Sequence, residues 1–175
     1  MVTLCLLMMI EAELKRDFFP QITSKDLNRR KVELPQDFPG KPTIVVLGFD
    51  PKQQPLIDTW IEAGRILKET FPTIDFMELP VVERPTAVKR MLVEQALRFG
   101  IRDKHIRARL AVLFIERAPF LKRLEIETME EIVAFLVAGD GSILWRHNGP
   151  ACEDSSADLK LKVAEYLELA PAGAK

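Results

Sequence analysis

The chain has 175 residues, 47% apolar and 29% charged, with 25 Lys and Arg against 26 Asp and Glu. That length and composition suit a single domain over 1–175 with a sizeable core, and the near-neutral balance excludes a bulk electrostatic case for nucleic acid or an acidic tail. The only cysteines, Cys5 and Cys152, have no partner at C-x-x-C spacing, which excludes a disulfide framework and a dithiol exchange motif and favours a reducing compartment.

The chain opens on MVTLCLLMMI, a run of ten residues followed at once by Glu11, Glu13, Lys15 and Arg16. It lacks a basic lead and a small-residue cleavage site, and it is shorter than the roughly 20 residues a membrane-spanning helix needs. It reads as a first buried strand or helix turn, with the stub of a targeting segment as the alternative. No other window approaches a transmembrane span, so the chain is expected in the cytoplasm or peripheral to a membrane, with organelle import not evident.

Phe19-Pro20 and Leu34 to Pro42 read as turns around a polar, hairpin-like stretch from Lys25 to Lys31, and 1–42 forms an extension ahead of a core over about 43–170. Thr43 to Phe49 is β-branched and almost continuously apolar, which predicts a strand covered on both faces. Pro51 and Pro55 admit a helix from about Leu56 to Thr70, so a parallel crossover is expected. A strand over Ile74 to Leu79 precedes a helix from about Pro85 to Phe99, whose inner face is expected to be Val88, Leu92, Gln95 and Phe99. Arg90, Glu94 and Arg98 fall on another face, where the central carboxylate can pair with both neighbours on a solvated surface.

Leu110 to Ile115 is a third core strand, and a short helix after Pro119 holds Phe120, Leu121 and Leu124. Ile132 to Ala138, Gly139-Asp140-Gly141 and Ser142 to Arg146 read as strand, tight turn, strand. The last helix is expected from near Ser155, with Ser155 and Asp158 as a capping box, through Leu159, Val163, Tyr166 and Leu167. The fold class is α/β: a central mixed sheet flanked by helices, closed by a C-terminal hairpin and helix.

Chemistry-bearing residues are sparse. His105 and His147 are the two histidines, and neither has a second ligand at metal-site spacing, so no metal is expected. His147, Cys152 and Glu153 match no local nucleophile signature, and Gly139-Asp140-Gly141 lacks the glycine spacing of a phosphate loop. Arg84 to Arg109 is rich in cations, including Arg98, Arg102, Arg107 and Arg109, and predicts a basic side of the molecule. No glycine-aromatic RNA motif accompanies it, so nucleic acid is not the expected partner. Trp60 and Trp145 are expected in core or half-buried positions.

The element order resembles the thioredoxin-like fold. Phe19-Pro20, Leu34-Pro35 and Gly40-Lys41-Pro42 ahead of the Thr43 strand resemble the opening of the peroxiredoxin and thiol-oxidoreductase group. That resemblance implies a catalytic motif shortly after the strand. Here the stretch is Asp50-Pro51-Lys52-Gln53-Gln54-Pro55, and Thr128-Met129-Glu130-Glu131 stands where the group's cis-proline would precede the hairpin.

Thr59-Trp60, Lys89 to Leu92 with Leu97 to Arg102, Phe120 to Ile126, and Phe135 to Trp145 followed by Gly149-Pro150-Ala151 are similar to the mitochondrial ATP synthase assembly factors. Those are divergent thioredoxin-like proteins that assist incorporation of a membrane subunit. The resemblance implies a redox-inactive, chaperone-like assembly factor whose partner is a protein, for instance a membrane-complex subunit. The expected site is a cleft at Gln53, Gln54 and Met129, flanked by Arg98, Arg102, Arg107 and Arg109, with no catalytic residue and no cofactor. The alternative is a thiol oxidoreductase or peroxidase using Cys5 or Cys152.

Overall fold

A computed structural model describes residues 17–169; the apolar run 1–10 and Cys5 lie outside the described residues. The element order is β1 (Ile22–Lys25), β2 (Lys31–Leu34), β3 (Thr43–Gly48), α1 (Gln54–Thr70), β4 (Asp75–Glu83), α2 (Ala87–Gly100), α3 (Lys104–Ala108), β5 (Leu113–Ile115), α4 (Arg117–Arg123), β6 (Val133–Val137), β7 (Ile143–Asn148) and α5 (Glu153–Leu169). The five-stranded sheet runs β5-β4-β3-β6-β7, with β3, β4 and β5 parallel and β6 and β7 antiparallel to their neighbours.

β3 is the central strand, and every one of its residues is buried. Alternation sends Val45 and Leu47 into a core with Phe19, Leu34, Phe120 and Leu124, while Ile44 and Val46 meet Ile57, Trp60, Leu159 and Val163 on the other face. The β1–β2 hairpin and α4 thus cover one face, and α1 and α5 the other. A third cluster joins Leu27 in the hairpin turn to Leu110 and Val112, with Leu97 and Ile101 against it.

Several boundaries differ from the sequence expectation, each for a local reason. The polar stretch from Lys25 to Lys31 is the turn between two paired strands. The first helix begins at Gln54, earlier than Leu56, because Asp50 and Gln53 form a capping box over the turn Pro51–Gln53. β4 runs on to Glu83; Pro80 sits opposite Gly48 at the end of β3, and beyond it β4 pairs with β5. The last helix begins at Glu153. Ser155 caps by accepting from the Cys152 backbone N–H at 2.9 Å, and Asp158 instead accepts from Trp145 Nε1 at 2.6 Å.

The largest correction concerns α2. Val88, Leu92 and Phe99 face solvent together with Met91, and no residue of this helix is fully buried. Arg90, Val93, Glu94, Leu97 and Arg98 are the half-buried positions. The Arg90 guanidinium lies 4.9 Å from the Phe114 ring centroid and pairs with Glu94 at 2.9 Å, so a stripe that reads as charged covers the sheet through its aliphatic stems.

The hairpin turn is as expected in kind, with one glycine needed for its backbone: Gly141 has φ +89. Trp60 and Trp145 are both buried and meet edge to face at 5.5 Å. Among the described residues no helix is long and apolar enough to cross a membrane.

Candidate functional site

The carboxyl ends of β3, β4 and β5, the start of β6 and the end of β7 lie at one end of the sheet, here the upper end. Gln53 sits there, buried, immediately after β3. Its Oε1 accepts from the backbone N–H groups of Phe49 at 2.7 Å and Asp50 at 3.2 Å, and its Nε2 donates to the carbonyls of Met129 at 2.8 Å and Glu130 at 3.2 Å. A neutral amide with two acceptor and two donor positions is thereby fully used in tying the first helix to the loop before β6. Gln54 is exposed, donates to Asp58 and also reaches Glu78 with its side-chain amide, and Met129 is partly exposed beside Arg117.

Two further segments meet nearby. Trp60 Nε1 donates to the Gly149 carbonyl at 3.0 Å, and Thr59 Oγ1 accepts from the Ala151 N–H at 2.8 Å. Thr59-Trp60 and Gly149-Pro150-Ala151 therefore form one contact between α1 and the approach to α5. Cys152 follows directly, exposed, with its Sγ 3.2 Å from Ser155 Oγ and accepting from the Ser155 N–H. The Ser155 hydroxyl, with its backbone N–H, holds the Cys152 thiol below its usual range by stabilising the thiolate. His147 stacks on Trp145 and edges Trp60.

The expected arginines lie at the other end of the sheet, so they do not flank Gln53 and Met129. Arg109 pairs with Asp75 at the first residue of β4, Nε to Oδ1 at 3.0 Å, and Lys68 shares that carboxylate at 2.7 Å. The six residues of β3 separate the two ends by about 20 Å at strand rise. Arg107 donates to the carbonyls of Ile101 and Arg98 at 2.6 and 2.7 Å, closing the end of α2. Arg98 is half-buried, and Arg102 is exposed. The sequence distance between positions 53 and 98 gave no means of assigning them to opposite ends.

Sequence reasoning also missed Glu78, a buried carboxyl on β4. It lines a cavity of about 470 Å³ between α1, β4 and α3, together with Ile61, Gly64, Phe76 and Leu110. Burial raises its pKa to about 7; Gln54 opposes the shift and Asp58 adds to it. The alternation along DFMELPV, which puts Glu78 on the same side as Phe76, carried that signal.

No protein-family model matches the chain, and no curated protein matches it by sequence. Solved structures do match it in shape. BsSco, a member of the Sco family of cytochrome c oxidase assembly proteins, is 16% identical with a TM-score of 0.58, covering 89% of this chain and 96% of its own. The pneumococcal exposed lipoprotein thioredoxin Etrx1 from Streptococcus pneumoniae strain TIGR4 is 12% identical with a TM-score of 0.54, covering 83% and 99%. A thiol:disulfide interchange protein from Bacteroides sp. is 19% identical at 0.50, covering 91% and 93%. Together with the mixed five-stranded sheet and its flanking helices, these likenesses establish that the chain has a thioredoxin-like fold.

Proposed function

We propose that this chain is a redox-inactive thioredoxin-fold protein that binds a protein partner and assists assembly of a complex. The observation that carries the reading is Gln53. Where the resemblance to thiol oxidoreductases implies a reactive thiol, this chain has a buried amide with both donor and acceptor atoms committed to backbone. Such a group offers neither a nucleophile nor a leaving group. The same fold serves assembly in the Sco family to which BsSco is assigned. The likeness of Thr59-Trp60 and Gly149-Pro150-Ala151 to ATP synthase assembly factors supports a membrane-complex subunit as partner, with this chain working beside the membrane. Gln54 and Met129 at the upper end of the sheet, and Arg102 at the other, remain binding residues under this reading.

Cross-linked affinity capture from the native source under mild detergent tests it, with thiol-disulfide and peroxide turnover measured on the same protein. Capture of a membrane-complex subunit without turnover is the expected result. A second reading, a lone-thiol reductase or peroxidase, is favoured by one observation, the exposed Cys152 with its lowered pKa. Turnover that disappears in Cys152→Ser would establish that reading in place of the first.

A further inference from the structure

Helices of globular proteins ordinarily turn an apolar stripe inward, and α2 does the reverse. Val88, Met91, Leu92 and Phe99 lie on its outer side, with Phe99 84% exposed. At the Phe99 end of that stripe is a cavity of about 250 Å³ lined by Arg29, Gln95, Arg98, Phe99 and Arg107. Three separate segments, the β1–β2 turn, α2 and α3, each bring a guanidinium group to it.

Among the described residues, none of these three arginines has a carboxylate partner. Arg107 donates to two carbonyls, and Nε of Arg98 is buried without any hydrogen-bond partner. The acids nearby are engaged elsewhere: Glu94 with Arg90, and Asp26 with the backbone and guanidinium of Arg30. Gathered cations repel one another, and a carboxylate placed among them would relieve that repulsion.

We propose that the outer stripe of α2 and the Arg29–Arg98–Arg107 cavity form one docking surface for an acidic amphipathic segment of a partner protein. Its apolar side chains cover Val88, Met91, Leu92 and Phe99, and its carboxylate enters the cavity among the guanidinium groups of Arg29, Arg98 and Arg107. The inference rests on the assembly reading and names the chemistry of the partner. A nucleic acid would use the arginines but leave Val88, Met91 and Leu92 in water. A membrane would take up the stripe, yet a plane of headgroups has no single acid to send into a concavity.

The test uses a fluorescent helical peptide with leucines three and four residues apart on one face and a glutamate one turn beyond. Its glutamine counterpart, and vesicles of phosphatidylcholine with phosphatidylglycerol, are titrated in parallel against the full chain. The glutamate peptide should bind about tenfold more tightly than the glutamine peptide. Arg29→Gln should shrink that preference, and Phe99→Ser should weaken both peptides; both residues are exposed, so thermal melting should be unchanged. Equal affinity for the two peptides, binding undiminished in both variants, or vesicle binding in place of peptide binding would overturn the proposal. Native partner capture retained in the Arg29→Gln, Phe99→Ser double variant would also overturn it while leaving the assembly reading intact. Turnover by Cys152 would do the converse, since peptide binding is read without a native partner.

Discussion

Gln53 and Met129 are joined by a 2.8 Å hydrogen bond from the side-chain amide to a backbone carbonyl, across the mouth of the sheet where β3 ends and β6 begins. The same amide also holds Glu130, Phe49 and Asp50. Gln53→Ala leaves these backbone groups without their partner in a half-buried setting, and the expected loss is about 1–3 kcal/mol in a urea titration. Gln53→Glu keeps the acceptor for Phe49 and Asp50 but places a carboxylate against two carbonyls, so it should be at least as damaging at neutral pH. A stability equal to the parent in both variants would show that this bridge contributes nothing.

Glu78 makes stability depend on pH with a definite sign. Its carboxyl is raised from 4.5 to about 7 by burial, so its folded environment favours the protonated form. The associated stability is fully present below about pH 4.5 and is lost as pH rises through 7, worth about 3 kcal/mol at most. Glu78→Gln, neutral throughout, should therefore match the parent near pH 4 and gain on it steadily towards pH 8. Chemical denaturation at several pH values reads the difference directly; a constant offset would mean that Glu78 titrates normally.

Cys152 should alkylate readily because Ser155 stabilises its thiolate. Ser155→Ala removes the hydroxyl contribution while leaving the backbone N–H, so the midpoint of the iodoacetamide rate against pH should move upward and labelling at neutral pH should slow. The same change removes the acceptor for the Cys152 N–H at the start of α5 and should cost about 1 kcal/mol. An unchanged pH profile would remove the hydroxyl as the cause.

Gly141 combines φ +89 with a tight fit, since an added Cβ would lie 2.6 Å from Cγ of Pro35. Its carbonyl also accepts from the Phe19 N–H at 2.9 Å, holding the entering chain against the β6–β7 turn. Gly141→Ala should lower stability by about 2 kcal/mol by thermal or urea unfolding. The nearby Gly139, whose added Cβ would meet only the flexible Lys41 side chain at 3.3 Å, should accept alanine with a smaller loss.

How much was legible follows from the range of each interaction. The β3 strand, the hairpin around Gly141 and the helix over Trp60 and Leu67 were readable because β-branched runs, turn glycines and helical spacing act over a few residues. The α2 face was not. Val88, Leu92 and Phe99 form one apolar stripe, and Val93, Leu97 and Ile101 form a second on the opposite side, so local periodicity permits either to face inward. Phe114 on β5 decides the matter by taking the Arg90 guanidinium, and Leu27 and Val112 by packing with Leu97 and Ile101.

The same limit governs the site. The absence of a dithiol after β3, and hence the exclusion of a C-x-x-C exchange cycle, is a property of residue order and was complete in the sequence. That Gln53 closes on Met129, that Arg109 belongs to Asp75 at the opposite end of the sheet, and that Arg29 joins Arg98 and Arg107 were decided by tertiary structure alone. Covalent order determines which groups the chain possesses and its short-range periodicities; which distant groups meet depends on strand pairing and crossover direction, and those are set by burial summed over the whole sheet.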